Sequence, residues 1–278
     1  MSDELPELPS DEELGIAGMS EEELVSESPG TPERGSGSTG SEPAPDSDRP
    51  ARQEPPWRGP LTLLLLLTAV LSGLTRWTVP SPAPANAPDD VFSSARAMAT
   101  VADIARSPRP PGSEAHDRVR ALLISRLQEM GFEVEVQEDT QVRTRGESAV
   151  AVTVRNIVAR RVGSASTGAL LLAAHYDSRP QSPGAGDDAT GVAVLLEAVR
   201  AMGNALPMTN DLIVLLSDGE EYGLQGARAF VGGHRWMDDV RLILNVEMRG
   251  ARGPSLMFQT GEENGWIASQ LAAVDPAP

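Results

Sequence analysis

Three apolar runs each break off into acidic or imidazole side chains, and no other feature of this chain restricts its fold as tightly. ALLLAA at 169–174 leads into His175-Tyr176-Asp177, DLIVLLS at 211–217 into Asp218-Gly219-Glu220-Glu221, and RLILNV at 241–246 into Glu247. Strands that are apolar at nearly every position are those covered on both faces, as in a sheet flanked by helices. Between the first two runs, Gly186-Asp187-Asp188 opens a stretch from Thr190 to Met202 in which Val192, Leu195, Leu196 and Val199 recur at helical spacing. The expected fold is α/β, a mixed, largely parallel central sheet with helices on both faces. Polar residues gathered at strand ends suit that fold, because open α/β sheets bind their ligands there.

Upstream segments complete the pattern. Helical spacing covers 91–106 and 114–130, the second stopping at Gly131 as helices often do at a glycine C-cap. Residues 132–137 alternate as a strand, and 150–162, rich in Thr, Val and Ile, reads as another. A further helix is expected from Tyr222 to Val231.

Charge divides the chain. Residues 1–50 hold 14 Asp or Glu against two Arg, a net of −12 out of −17. This segment has no aromatic residue and too little apolar surface to offset its ordering entropy, so residues 1–56 are expected to be a disordered acidic tail. Ser10 with Glu13 and Ser20 with Glu23 fit capping-box spacing, but no apolar face follows to sustain a helix. Such acidity argues against nucleic acid as a partner. The absence of cysteine excludes disulfides and thiolate metal sites.

Leu61 to Thr75, LTLLLLLTAVLSGLT, carries no charge, and Trp57 and Trp77 flank it at a separation of roughly 30 Å as helix, close to the hydrocarbon thickness of a bilayer. A transmembrane helix is expected over 57–78, with the lipid bilayer as its partner. A buried core helix, or a signal peptide cut near Ala83-Pro84-Ala85, would contain a similar run. The long acidic stretch before it and the proline-rich flanks favour a retained anchor. Arg49, Arg52 and Arg58 precede the run and only Arg76 follows closely, which puts the N-terminus in the cytoplasm and the rest on the lumenal or extracytoplasmic side. Residues 79–90, rich in Pro and Ala, read as an extended linker.

The strand ends supply a definite chemistry. A hydrolytic zinc centre needs imidazole and carboxylate ligands, an open position for water and a base beside it. His175, Asp187, Glu221 and Glu247 fit the ligand roles, with Asp187 able to bridge two ions. Asp177, two residues past His175, suits a carboxylate that orients the imidazole. Glu220 and Glu221 are adjacent, so their side chains diverge, and one can bind metal while the other moves protons. Each motif alone has a plainer reading: H-x-D and E-E pairs decorate surfaces, Asp187-Asp188 can cap the helix that follows, and Glu247 can pair with Arg249. Their order and shared placement at strand ends favour the joint reading. His116, in an expected surface helix, and His234, after a helix, read as structural or solvent-facing.

AAHYDS, SPGAGDDATGVAVLLE, SDGEEYGLQGA and LNVEMRG resemble the successive metal-binding segments of the clan MH zinc aminopeptidase family. With FQTGEENGW at 258–266, they are similar to its membrane-bound branch, the endoplasmic reticulum metallopeptidases and fungal vacuolar membrane proteases. The resemblance implies a zinc exopeptidase-like domain over 91–278 in which His175 and Glu247 bind different zinc ions, Asp187 bridges them and Glu221 is a further ligand. It implies Glu220 as the base, Asp177 as the support of His175, and a cis peptide between Asp187 and Asp188. Glu at 247, where secreted members usually carry Asp, is compatible with one zinc as well as two. The family's last ligand, a histidine, has no counterpart before Pro278, so a fragment of a longer membrane protease is expected.

Three functions fit this reading. The first, which the motif order favours, is a membrane-anchored zinc exopeptidase that removes N-terminal residues from peptide substrates. The second is a glutaminyl cyclase-like transferase with one zinc. The third is a membrane-tethered binding protein that holds no catalytic metal.

Overall fold

The computed structural model of the chain describes residue 55 and residues 57–75, 81–145, 148–205, 207–248, 257 and 259–273. The acidic stretch with its two capping boxes, and Arg249, lie outside these residues. The chain divides into two units, Met1–Leu61 and Thr62–Pro278.

The apolar run forms a helix, α1, over Arg58–Thr75; residues 76–78 of the span expected over 57–78 lie outside the described residues. Among the described residues no helix is long and apolar enough to cross a membrane. Leu63 to Leu67 are all exposed.

A five-stranded sheet has the order β1-β2-β4-β3-β5, built from β1 (Glu133–Arg145), β2 (Ser148–Arg161), β3 (Ala169–His175), β4 (Asp211–Ser217) and β5 (Val240–Asn245). β3 pairs in parallel with both β4 and β5, whereas β1–β2 and β2–β4 are antiparallel. The largely parallel expectation therefore holds for strand direction, with β2 alone reversed, but not for the pairings. Only residues 146 and 147 separate β1 from β2, and so short a connection can join only antiparallel neighbours. β2 matches the expected 150–162 closely, whereas β1 runs well beyond the expected 132–137. The extension is polar and carried by cross-strand pairs, Arg155 Nε to Glu138 at 2.7 Å and Thr140 to Thr153 at 3.0 Å.

Alternation along the central strands sorts the core onto two faces. Ile157, Ala159, Leu172, Ala174, Leu212, Val214 and Leu216 point one way, against α2 (Ser94–Ile104), α3 (Glu114–Glu129) and α4 (Gly191–Ala205). Val158, Leu171, Ala173, Ile213 and Leu215 point the other way, towards Phe230 of α5 (Gln225–Gly233) and Trp236. Helices thus cover both faces. A last helix, α6, spans Gly265–Ala273. Residues ahead of α2 are tied down: the Arg96 guanidinium donates to the carbonyls of Ala85, Ala87 and Val91 at 2.7, 2.9 and 2.6 Å.

Candidate metal centre

Strand register puts three chain segments side by side. His175 pairs with Ser217 across β3 and β4, so the turn after β4 begins beside the imidazole. On the other flank the Val246 amide donates to the Ala173 carbonyl at 2.8 Å, which carries Glu247 to the same edge. Gly219 enters the β4 turn at φ +65°, where a glycine meets no Cβ penalty, and Glu220-Glu221-Tyr222 follow as one short helical turn. That turn delays α5 to Gln225, later than the Tyr222 expected from the sequence. Asp187 lies between β3 and α4, joined to Asp188 by the cis peptide that the resemblance implied.

Donor atoms of His175, Asp187 and Glu247 lie within 4.8 Å of one another. The imidazole Nε2 is 2.8 Å from Asp187 Oδ1 and 3.8 Å from both Glu220 Oε2 and Glu247 Oε1. An imidazole nitrogen and carboxylate oxygens converging on one point make the donor set of a borderline divalent cation such as zinc. Glu221 stands outside that trio, and its Oε2 accepts a hydrogen bond from Arg179 Nε at 2.7 Å. A cavity of about 230 Å³ opens against His175, Glu220 and Glu247.

Asp177 is fully buried behind the imidazole. Its Oδ1 lies 3.2 Å from His175 Nδ1 and accepts from the Glu220 amide at 3.1 Å, while Oδ2 accepts from the Glu221 amide at 3.4 Å. One carboxylate therefore ties the histidine to the turn that carries both glutamates. Asp188, also buried, accepts from the amides of His175 at 3.3 Å and Gly191 at 2.9 Å, capping α4 and holding the end of β3 together.

Two residues beneath the centre were not singled out as site residues. Arg109 is fully buried, and its guanidinium donates to the carbonyls of Tyr176, Pro183 and Gly184, clamping the loop between His175 and Asp187. Burial lowers its pKa to about 10, so it stays a cation facing Asp177, Asp188 and Asp187. His116, expected on a surface helix, is instead buried: Nε2 lies 2.8 Å from Asp218 and the ring stacks on Tyr176 with centroids 4.7 Å apart. Its spacing to Val119, Leu123 and Leu127, all buried on α3, was the available signal. His234 is buried against Phe230 and Trp236, in keeping with a structural role.

Titration at the centre reflects too many carboxylates in a dry place. Burial by itself pushes the His175 imidazole down, but the hydrogen bond and charge of Asp177, with Asp188 and Glu220, outweigh it and raise its pKa from 6.5 to about 10. Burial raises Asp188 from 3.8 to about 8, and also raises Glu220 and Glu247. Every one of these folded-state values lies above its unfolded value, so these four groups hold more protons in the metal-free folded chain than in the unfolded chain between about pH 4 and pH 10. Their contribution to stability falls as pH rises through that window. His234, lowered by burial, opposes them only around its ordinary value near 6.5. Thermal unfolding of metal-free protein should show a lower Tm at pH 9 than at pH 6, and a flat or rising profile would contradict these shifts.

Residues 156–278 match the model of peptidase family M28. Among curated relatives, the chain is 36% identical over 167 residues to a vacuolar membrane protease of Candida dubliniensis, covering 56% of this chain and 18% of that protein. It is 38% identical over 111 residues to endoplasmic reticulum metallopeptidase 1 of Mus musculus, covering 40% and 12%. The chain thus spans less than a fifth of either relative's length. Among solved structures, a glutaminyl cyclase of Porphyromonas gingivalis superposes with a TM-score of 0.55 at 27% identity, over 66% of this chain and 70% of that one. A Zn-dependent exopeptidase from Parabacteroides distasonis gives 0.51 at 25% identity, over 59% and 64%.

Proposed function

We propose that this chain, whose residues 156–278 match the model of peptidase family M28, carries a zinc-dependent exopeptidase of the aminopeptidase type, acting on the N-terminal bond of peptide substrates. The observation that carries the reading is the convergence of His175, Asp187 and Glu247 within 4.8 Å, with the Glu220 carboxylate 3.8 Å from the imidazole nitrogen. The resemblance implied that His175 and Glu247 bind different ions, but the convergence of their donor atoms with Asp187 supports a shared one: His175, Asp187 and Glu247 would hold one ion, and Glu221 with Asp187 a second. Bound zinc supplies an acidified water and polarises the scissile carbonyl.

The remaining steps belong to side chains. Asp177 accepts from Nδ1–H and leaves Nε2 free to ligate. Glu220, 3.8 Å from the imidazole nitrogen, takes a proton from the attacking water on a carboxylate oxygen and passes it to the leaving amine nitrogen.

The exposed leucines of α1 support association with a lipid bilayer, as do relatives named as membrane proteases. The arginines ahead of α1 support a cytoplasmic N-terminus and a peptidase domain on the lumenal or extracytoplasmic side.

The glutaminyl cyclase reading is kept because of its superposition on this chain. One assay separates the readings: zinc-loaded protein is given a Leu-initiated and a Gln-initiated peptide, and the products are identified by mass spectrometry. Release of the free N-terminal residue from the first is expected. Loss of ammonia from the second with no hydrolysis of either would replace the peptidase by a cyclase, and inertness towards both without bound zinc would leave a binding protein.

A further inference from the structure

Arg179 lies two residues past Asp177, in the loop after β3, and its contact with Glu221 is the least expected feature of the centre. Its side chain is 59% exposed while that of Glu221 is only 12% exposed, so a surface cation reaches inward to a mostly covered carboxylate. The contact is one-sided: Nε meets Oε2 at 2.7 Å, and among the described residues Oε1 has no hydrogen bond given to it. The Glu221 backbone is pinned separately, its amide donating to Asp177 Oδ2 at 3.4 Å. Backbone and one oxygen are thus both restrained, which leaves the carboxylate with little freedom except to present its other oxygen.

We infer that Arg179 is a positioning residue that aims Glu221 at a metal ion. The inference rests on the proposed zinc peptidase reading and adds one residue to it. A carboxylate ligand whose second oxygen is hydrogen-bonded is held in one rotamer before the ion arrives, so less entropy is lost on binding. Guanidinium suits the task because it stays charged at every working pH and donates along a fixed direction. A solvated surface pair would have little effect on anything. What sets this pair apart is that Glu221 follows Glu220 in the turn that Asp177 ties to His175.

The test is a zinc titration of the 278-residue chain against a competing chromophoric chelator, for the wild type, Arg179→Gln and Arg179→Lys, with the Tm of the metal-free proteins in parallel. Arg179→Gln should weaken one bound zinc about tenfold, at the lower end of what partners of metal ligands contribute. It should leave any other zinc and the metal-free Tm unchanged, and Arg179→Lys should recover part of the loss. Identical isotherms would reduce the contact to surface charge, and a loss spread over all bound zinc with a lower Tm would make Arg179 merely structural. Either result overturns the inference. Failure of the wild type itself to bind zinc would overturn the metal centre as a whole, a separate outcome from these.

Discussion

Glu220→Gln should lower kcat by roughly 10²- to 10⁴-fold while leaving zinc content, KM and thermal stability near wild type. The amide matches the carboxylate in size, and the backbone bond from the Glu220 amide to Asp177 Oδ1 is untouched. What disappears is a group able to take a proton. The carboxylate stands 3.8 Å from His175 Nε2, close enough to share the space of an attacking water, and it is not one of the three side chains whose donors converge. Steady-state kinetics with zinc determined on the same samples decides the matter. Retained activity would move the base elsewhere, and joint loss of zinc and activity would make Glu220 a ligand.

The parts of this fold that could be read in advance are those whose physical cause is local. β3 and β4 are apolar at almost every position because both faces are covered, and that pattern is visible residue by residue. The clustering of His175, Asp187 and Glu247 followed from a general property of such sheets, that strand ends meet on one edge. Elements held by distant polar partners were not legible. Glu138 to Arg145 is a polar stretch that becomes strand only because Arg155 and Thr153 lie opposite. His116 is buried by Asp218, 102 residues away, and Arg109 by carbonyls some 70 residues away. The span expected over 57–78 is followed only to Thr75, where the described part of α1 ends. Asp177 shows both sides of this: its support of His175 followed from spacing, but its hold on the Glu220 and Glu221 amides needed the turn after β4 in place.

That double hold makes Asp177→Asn the second informative substitution. Asn keeps the volume but replaces one acceptor oxygen with an NH₂ donor. Turned towards the turn after β4, the NH₂ meets the Glu221 amide donor-to-donor; turned towards the ring, it faces Nδ1–H. Either way a buried donor loses its acceptor, at about 1–3 kcal/mol in the folded chain. The imidazole also loses the carboxylate that fixes its tautomer, so Nε2 no longer stands ready for metal. Zinc affinity should fall about 10- to 100-fold, measured by chelator competition, with a lower Tm in the metal-free state. Once zinc is saturating, kcat should recover to within about tenfold of wild type, because the group that moves protons is still present. Glu220→Gln should show the opposite pattern, normal affinity and little rate at saturation. If Asp177→Asn stayed slow at saturating zinc with unchanged affinity, Asp177 would act on the proton transfer itself, and the separation between the residue that orients the ligand and the residue that moves protons would not stand.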